Sequence, residues 1–517
     1  MSYKETANDL FNAGVNDDHF VLMANSNKKC QVAVRTPWGS LTSRVELQEI
    51  EMQGTVPAPL KCSIQMDTLG KECIEHGECL FKYNECVDIP PLAMIDDILA
   101  VSECSVETVK MNAIIQSKVA HKNLELGPDK CFKLHVGKES ECCPMLKIDE
   151  EVMLSSCKEK YLGDILTTDC RINANIEERC SKGIGIVNQI LSLLKEISFG
   201  EYYFEMAVLF RQSMLLNGIL CNSEVLYGVN KGHIESLEAV DNYYWRKVFN
   251  CPISTPIETF FLETNTIPIK YILKSRRLMY YWNILHMDES ELVRRVFTAQ
   301  KLSSCKSDWV LQVYEDLNEC NINLSENEIM KMKKFSFRKL VRKKVREASE
   351  NHLVSLKKSK SSNIFPADDM KVYLKTNCLS TEEKQLLYLM RVRMNEVKSN
   401  FQNKYKNNLN CSLCNQNVKE NESHLLQCVG IIHEPNVDVK NVKYKDIYGN
   451  LEEQIRAVKT WTRIFKIRSW KLENRSLHGP QVHQLSASYP SDGQPAVDPT
   501  PLDSSIAVLL SPVYDSG

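Results

Sequence analysis

The spacing of apolar residues changes near residue 170, and this change constrains the fold more than any other feature of the sequence. Residues 132–136 alternate strictly between apolar and polar side chains, which predicts a half-buried β-strand. From residue 176 onward, apolar residues recur every three or four positions, as in 176–197 and 272–285, which predicts amphipathic helices. The 517 residues include only 19 Gly and 18 Pro, which favours long helices over a turn-rich β protein. We therefore expect an α+β chain whose second part is almost entirely helical.

The composition excludes several classes of protein. Hydrophobic residues make up 43% and charged residues 25% of the chain, which is typical of a globular protein and not of a disordered or fibrous one. No apolar run approaches the roughly 18 residues that a membrane span requires. The first residues, MSYKETANDLF, are polar where a signal peptide has an apolar core. We expect a soluble intracellular protein of the nucleus, the cytoplasm or both, neither secreted nor membrane-bound, with reduced cysteines.

The charge is distributed unevenly, although the net charge is only −2. Residues 1–160 contain 17 bases and 25 acids, whereas residues 331–360 contain twelve bases and two acids. In the basic segment, Lys334, Arg338 and Arg342 follow one another at a spacing of four residues, with Lys331 nearby. On a helix this spacing forms one row that can neutralise backbone phosphates of a nucleic acid. The alternative is a solvated basic helix without a polyanionic partner.

Two adjacent acids interrupt an apolar segment, Pro91 to Val101. Asp96 and Asp97 stand at its centre, where carboxylates are costly unless they are solvated or neutralised by a cation. Adjacent Asp residues at a hairpin turn can bind Mg²⁺, as nucleotidyl transfer by two metal ions requires. The alternative is an ordinary polar turn, in which Asp is common.

A second metal site is predicted by a Cys-x2-Cys pair followed nine residues later by His-x3-Cys. Its members are Cys411, Cys414, His424 and Cys428. Three thiolates and one imidazole at this spacing suit tetrahedral Zn²⁺ in a closed structural site, and the alternative is four incidental residues in a cysteine-rich chain. Just before this site, Arg391 and Arg393 are interleaved with aromatic residues, which indicates contact with single-stranded or structured RNA.

The order of the motifs resembles that of a reverse transcriptase from a non-LTR retrotransposon of the LINE type. Gln53 and Gly54 begin QGTVPAP, which resembles the template-and-nucleotide motif, and MIDDI resembles the aromatic-x-Asp-Asp box. Lys130 and Cys131 resemble the Lys-Cys pair of the next motif, and YLGDIL resembles the primer-gripping turn. The helical segments that follow and the Cys/His spacing are also similar to this family, so the resemblance covers about residues 14 to 430.

The resemblance implies an RNA-directed DNA polymerase that acts on an RNA template and a DNA primer or target. In such an enzyme Asp96 and Asp97 would hold Mg²⁺, with Asp96 the firmer ligand. Lys130 would assist the departure of pyrophosphate, and Gln53 and Gly54 would shape the template and nucleotide site. The expected domains are a partial palm with a β-hairpin and helices (1–170), a helical thumb-like region (171–300), a helical basic region (301–400), a CCHC zinc knuckle (401–435) and a basic helical segment (436–475). The last segment (476–517) is expected to be a disordered tail on composition, because residues 477–517 contain no Lys or Arg and many Pro, Ser and Gly.

The chain departs from the family at one decisive place. The polymerase needs a third carboxylate, on a strand beside the Asp-Asp hairpin, and no segment before residue 53 resembles the motif that carries it. We therefore expect a truncated palm with a sheet edge exposed beside Ile98 and Val101, and an inactive polymerase. Three possibilities follow: a polymerase remnant, a non-catalytic RNA- or DNA-binding protein that uses the basic helix and the zinc knuckle, or a decayed gene that yields no stable protein.

Overall fold

The computed structural model describes the backbone of most of the chain. The described residues are 3–25, 31–33, 35, 38–46, 58–76, 80–95, 97–121, 124–136, 144–148, 150–196, 202–302, 309–357, 363–406, 408–414, 416–434, 437, 439–476, 505–510 and 512–513. The chain divides into two compact units. Unit 1 comprises Met1–Asn175, Met287–Val310 and Val497–Gly517, and unit 2 comprises Ile176–His286 and Leu311–Ala496.

Helices and strands are numbered along the whole chain, and together they confirm the predicted α+β class. The helices are α1 (Tyr3–Asn12), α2 (Asp17–Asn25), α3 (Ala58–His76), α4 (Ser105–His121), α5 (Asn173–Glu196), α6 (Tyr203–Phe210), α7 (Leu216–Ile219), α8 (Lys231–Val248), α9 (Glu258–Thr264), α10 (Ile269–Leu285), α11 (Leu292–Leu302), α12 (Trp309–Glu319), α13 (Glu326–Met330), α14 (Lys334–Leu356), α15 (Val372–Lys375), α16 (Thr381–Arg391), α17 (Glu422–Leu425), α18 (Val429–Ile432) and α19 (Leu451–Ser476). The strands are β1 (Gln31–Val32), β2 (Val45–Glu46), β3 (Phe81–Tyr83), β4 (Val87–Ile89), β5 (Leu92–Met94), β6 (Asp97–Ser102), β7 (Glu125–Leu126), β8 (Phe132–Val136), β9 (Lys147–Ile148), β10 (Glu151–Val152), β11 (Leu154–Ser155), β12 (Lys158–Tyr161), β13 (Asp164–Thr167), β14 (Ser505–Leu510) and β15 (Pro512–Val513).

Unit 1 contains a five-stranded sheet with the strand order β11-β8-β14-β6-β5. The apolar segment with the two acids forms the hairpin β5–β6, in which Met94 pairs with Asp97. The strand predicted from alternation is β8, and it runs antiparallel to β14. Strand β14 also runs antiparallel to β6, so a segment near residue 505 holds together two strands that lie near residues 100 and 134.

Four strands of this sheet are ordered as in a β–α–β–β–α–β arrangement. The position of the first strand in that arrangement is occupied here by β14, which comes from the end of the chain. Helix α3 precedes the hairpin β5–β6, and helix α4 connects the hairpin to β8. In a split β–α–β arrangement of this kind the first strand lies between the third and the fourth, antiparallel to both. Here β14 takes that position between β6 and β8.

The core of unit 1 lies between this sheet and its two helices. Side chains of α3, β6, α4 and the segments around β7 and β9 form one buried apolar cluster, whose members include Met66, Ile98, Ala100, Met111, Ile115, Val119, Leu126, Cys131 and Ile148. Burial of these side chains provides the main stabilisation of the unit.

Two predictions about this region are corrected by strand β14. The sheet edge expected beside Ile98 and Val101 is covered, because Ile98 pairs with Leu510 and Val101 pairs with Ala507. The tail predicted to be disordered over 476–517 contains the strands β14 and β15, and residue 476 ends α19. Local composition does not indicate strand β14, because its backbone partners are two strands that lie far away in the sequence.

Unit 2 is built from helices whose apolar faces contain many aromatic residues. Fully buried rings of α8, α9 and α16 surround Phe249, whose ring centroid lies 4.0 Å from that of Tyr388. The Tyr388 hydroxyl lies 2.6 Å from the Thr259 hydroxyl, so the polar end of this buried ring is satisfied. The helices predicted over 176–197 and 272–285 correspond to α5 and α10.

A π-helical turn at Arg211–Leu215 lies between α6 and α7. Within this turn Arg211 is buried and forms two hydrogen bonds of 2.7 and 2.6 Å with Asp241 of α8. A wide turn of this type places one side chain out of the regular helical register. Among the described helices, none is long and apolar enough to cross a membrane.

Candidate metal centre and basic helix surface

The four predicted zinc ligands lie together in unit 2. The potential ligand atoms of Cys411, Cys414, His424 and Cys428 are all within 4.8 Å of one another. The Cys411 and Cys428 sulfurs are 3.8 Å apart, and the Cys414 sulfur lies 3.4 Å from His424 Nε2. Each of the four residues is at most 9% exposed. A second such group of three or more potential ligands does not occur among the described residues.

Local backbone structure brings these ligands together. An isolated bridge between Asn410 and Lys419 closes the loop that carries the first two cysteines, and Cys411 N–H donates to the Val418 carbonyl at 2.8 Å. The side chain of Asn421 caps α17 by accepting from the backbone N–H of His424 at 2.8 Å, which fixes the first turn that holds the imidazole.

Gly430 permits the close approach of the two halves of the cluster. A Cβ at this position would lie 2.6 Å from the Leu413 carbonyl oxygen, which is too close for any other residue without a shift of the backbone. Because Leu413 lies between the first two cysteines and Gly430 follows Cys428, this contact helps to set the distance between the ligand pairs. A spacing pattern alone does not indicate this glycine.

The geometry fits a tetrahedral Zn²⁺. With Zn–S bonds of about 2.3 Å and Zn–N bonds of about 2.0 Å, a tetrahedral site places its sulfurs about 3.8 Å apart and sulfur about 3.5 Å from nitrogen. The measured separations of 3.8 and 3.4 Å agree with these values. Burial raises the pKa of the Cys428 thiol to about 12, and a bound metal cation would stabilise its thiolate form. The cluster could therefore hold a metal such as zinc.

The cluster is also anchored to the helical body of unit 2. Glu420, which is fully buried, accepts a hydrogen bond of 2.7 Å from Arg468 of α19. Lys471, also on α19, donates to the Gly430 carbonyl at 2.9 Å. The segment that carries the four ligands therefore packs against α19.

The residues predicted to form the polymerase site are only partly described. Asp96, Gln53 and Gly54 lie outside the described residues. Asp97 begins β6 and is half-buried, and Lys130 is exposed in a short 3-10 turn that precedes β8. Because β6 and β8 flank β14 and both pair with its C-terminal end near Leu510, Asp97 and Lys130 lie at the same end of the sheet.

The YLGDIL segment forms a hairpin of its strands β12 and β13. Leu162 and Gly163 have positive φ values of 48° and 91°, as a two-residue hairpin turn requires. The Tyr161 hydroxyl donates to the Leu92 carbonyl of β5 at 3.3 Å. Burial and the neighbouring Asp97 carboxylate raise the pKa of Tyr161. The hairpin therefore contacts β5, the strand that pairs with β6 and its first residue, Asp97.

The predicted basic row lies on the surface of α14. Lys334, Arg338 and Arg342 are exposed, whereas the adjacent row of the same helix is buried and consists of Phe337, Val341, Val345, Ser349 and Leu353. Helix α14 begins at Lys334, and Lys331 lies before it, exposed at the end of α13. Lys339 and Lys343, which directly follow Arg338 and Arg342, are also exposed on this helix. Their own spacing of four residues is a sequence signal for a second basic row.

Arg391 does not lie on a nucleic-acid-binding surface, which corrects its predicted role. It is 6% exposed, and its guanidinium donates to the Glu263 carboxylate at 3.0 Å and to the Ile447 carbonyl at 2.9 Å. The Glu263 carboxylate raises the pKa of Arg391 despite its burial. Arg393, two residues later, is exposed. The sequence pattern does not distinguish the buried Arg391 from the exposed Arg393, because the ion-pair partner of Arg391 lies more than a hundred residues away.

Replacing Arg391 with Met is expected to lower the free energy of unfolding of unit 2 by about 3–5 kcal/mol, because it leaves the Glu263 carboxylate buried and unpaired. Urea unfolding followed by tryptophan fluorescence measures this loss. The matched control is Arg456→Met, since Arg456 is exposed on α19 and should change stability by less than about 0.5 kcal/mol. Equal effects of the two substitutions would contradict a structural role for the buried pair.

A comparison with known protein families finds none that matches this sequence, and a comparison with curated proteins finds no similar protein. The candidate site therefore rests on its own geometry.

Proposed function

We propose that this protein binds nucleic acid through the exposed basic row of α14, in a helical unit that a zinc ion at the Cys/His cluster stabilises. The observation that carries the proposal is the row itself. Lys334, Arg338 and Arg342 face solvent beside a buried, mostly apolar packing row, and no ion pair within the described residues neutralises them. Such a row can contact consecutive backbone phosphates without reading the bases.

We further propose that the chain is a remnant of a reverse transcriptase of the non-LTR type. The order of its motifs supports this origin, as do the β5–β6 hairpin with Asp97 at its turn and the contact between Tyr161 and that hairpin. Activity is not part of the proposal. The strand beside the hairpin is β14, whose sequence SIAVLL contains no acid to serve as the third carboxylate.

The experiment that tests nucleic-acid binding measures the affinity of the full chain for a single-stranded RNA as a function of salt concentration. A variant that replaces Lys334, Arg338 and Arg342 with Gln is expected to bind more weakly at low salt. Its slope of log affinity against log salt should fall by about 2, since each lost phosphate contact removes about 0.7.

The matched control replaces Lys445, Arg456 and Lys459 with Gln, which changes the net charge by the same amount at exposed positions outside α14. This control should keep the affinity and the slope of the wild-type chain. If both triple variants lose the same affinity, binding follows net charge and the assignment to α14 is wrong. If the wild-type affinity does not depend on salt, phosphate binding itself is wrong.

The purified chain is expected to extend no primer on an RNA template with either Mg²⁺ or Mn²⁺. The loss of one of three metal-binding carboxylates removes electrostatic stabilisation of several kcal/mol from the transition state. Primer extension that Asp96→Asn abolishes would show that the chain is an active polymerase, and the proposal of a non-catalytic remnant would then fail.

A further inference from the structure

A cavity of about 570 Å³ opens between α10 and α14 in unit 2. Four basic residues line it, Arg276 from α10 and Arg342, Lys343 and Arg346 from α14. The remaining lining is apolar or weakly polar and consists of Ile267, Tyr271, Ile272, Ser275 and Val345. None of the described residues that line the cavity is acidic. It thus combines an apolar wall with a strongly positive rim.

Two of the four cations are held in place by the protein. Arg276 donates to the Leu220 carbonyl and to the Ser223 hydroxyl, and Arg346 donates to Glu350 at 3.0 Å and to Asn265. Lys343 lies 3.9 Å from Glu347 in an exposed pair, which is a weak interaction. Arg342 forms no ion pair within the described part of α14. Arg342 and Lys343 are therefore the groups available to an incoming anion.

The wall of the cavity is apolar and tightly packed. Tyr271 is 5% exposed and its ring is fixed 5.8 Å from that of His352, while Val345 is 2% exposed. Ile272 is half-buried and contributes apolar surface at the same place. A volume of several hundred Å³ exceeds what a phosphate alone requires and falls within the range of pockets for small organic ligands.

We propose that this cavity binds one nucleotide unit of a single-stranded polynucleotide, with the base against the apolar wall and the phosphate at Arg342 and Lys343. The inference rests on the proposed function, because Arg342 is also the last member of the basic row of α14. It adds a base-binding site to that row. The chain then prefers strands with unstacked bases over an equally charged backbone without bases.

The experiment compares the affinity of the full chain for a decamer of uridylate with that for an abasic ribose-phosphate decamer of equal charge. The wild-type chain is expected to bind the uridylate decamer at least about fivefold more tightly than the abasic decamer. A single base contact in proteins that bind single strands contributes about 1 kcal/mol or more, which corresponds to this factor. Ser275→Trp, which fills the cavity from α10, should reduce this ratio to about one. Ser236→Trp, on an exposed position of α8, should keep the wild-type ratio.

The possible outcomes separate the two proposals. If the wild-type chain binds neither decamer, nucleic-acid binding fails as a whole. If it binds both equally, the basic row binds phosphates and the nucleotide cavity is wrong. If uridine monophosphate alone binds as tightly as the decamer, the cavity takes a free nucleotide and the assignment to a polynucleotide is wrong. Circular dichroism shows whether Ser275→Trp folds, and Ile272→Trp provides a second way to fill the cavity.

Discussion

Replacing Cys428 with Ser is expected to reduce the zinc content of the purified chain from about one ion per molecule to nearly none. Cys428 is fully buried and its sulfur lies 3.8 Å from that of Cys411, so a hydroxyl in its place removes one of four ligands from a closed site. Zinc binding in small structural sites contributes about 10–16 kcal/mol, and a large part of this stabilises the fold. The variant should therefore unfold at a markedly lower urea concentration than the wild-type chain.

The control for this substitution is Cys378→Ser, because Cys378 is an exposed cysteine of the same unit that lies outside the cluster. It should keep both the zinc content and the urea midpoint. A strong chelator should lower the stability of the wild-type chain and of this control, but not that of Cys428→Ser. A wild-type chain that takes up no zinc during titration would contradict the assignment of the cluster as a zinc site.

Removing residues 505–517 is expected to abolish much of the hydrogen-exchange protection of β6 and β8. Strand β14 pairs with five residues of each of these strands, so its removal leaves two sheet edges without partners. In the wild-type chain the backbone amides of residues 98–102 and 132–136 should exchange slowly. In the deletion variant the same amides should exchange many times faster. Mass spectrometry of pepsin fragments measures this difference.

Single substitutions provide a sharper form of the same test. Val508→Pro places a residue without a backbone N–H in the middle of β14, which a strand between two partners does not tolerate. It should reproduce the effect of the deletion. Ser486→Pro, outside the strand, should not. If β6 and β8 keep their protection in the deletion variant, β14 does not complete the sheet in solution.

Local patterns in the sequence predict the elements that depend on neighbouring residues. The alternation in 132–136 predicts β8, and the apolar segment with two acids corresponds to the β5–β6 hairpin. The Cys/His spacing predicts the cluster because the ligands lie within 18 residues, and a short loop and a helix start can bring them together. The exposed basic row follows from the helical spacing of its own residues.

Contacts between distant segments are not predicted by local patterns. A buried arginine with a remote partner has the same local sequence as an exposed one, as Arg391 and Arg393 show. The strand β14 depends in the same way on two edges that lie more than 350 residues earlier in the chain. The cavity between α10 and α14 likewise arises only from the packing of two helices that are distant in the sequence.

The claim that α14 is the surface that binds nucleic acid is tested most directly by photo-crosslinking. A single-stranded RNA containing 4-thiouridine is bound to the full chain at low salt, irradiated and digested, and the crosslinked peptides are identified by mass spectrometry. We expect crosslinks in residues 331–346 and on the facing part of α10, and their loss in the Lys334, Arg338 and Arg342 triple variant. Crosslinks that fall instead around Asp97 and Lys130, and that persist in the triple variant, would contradict this account.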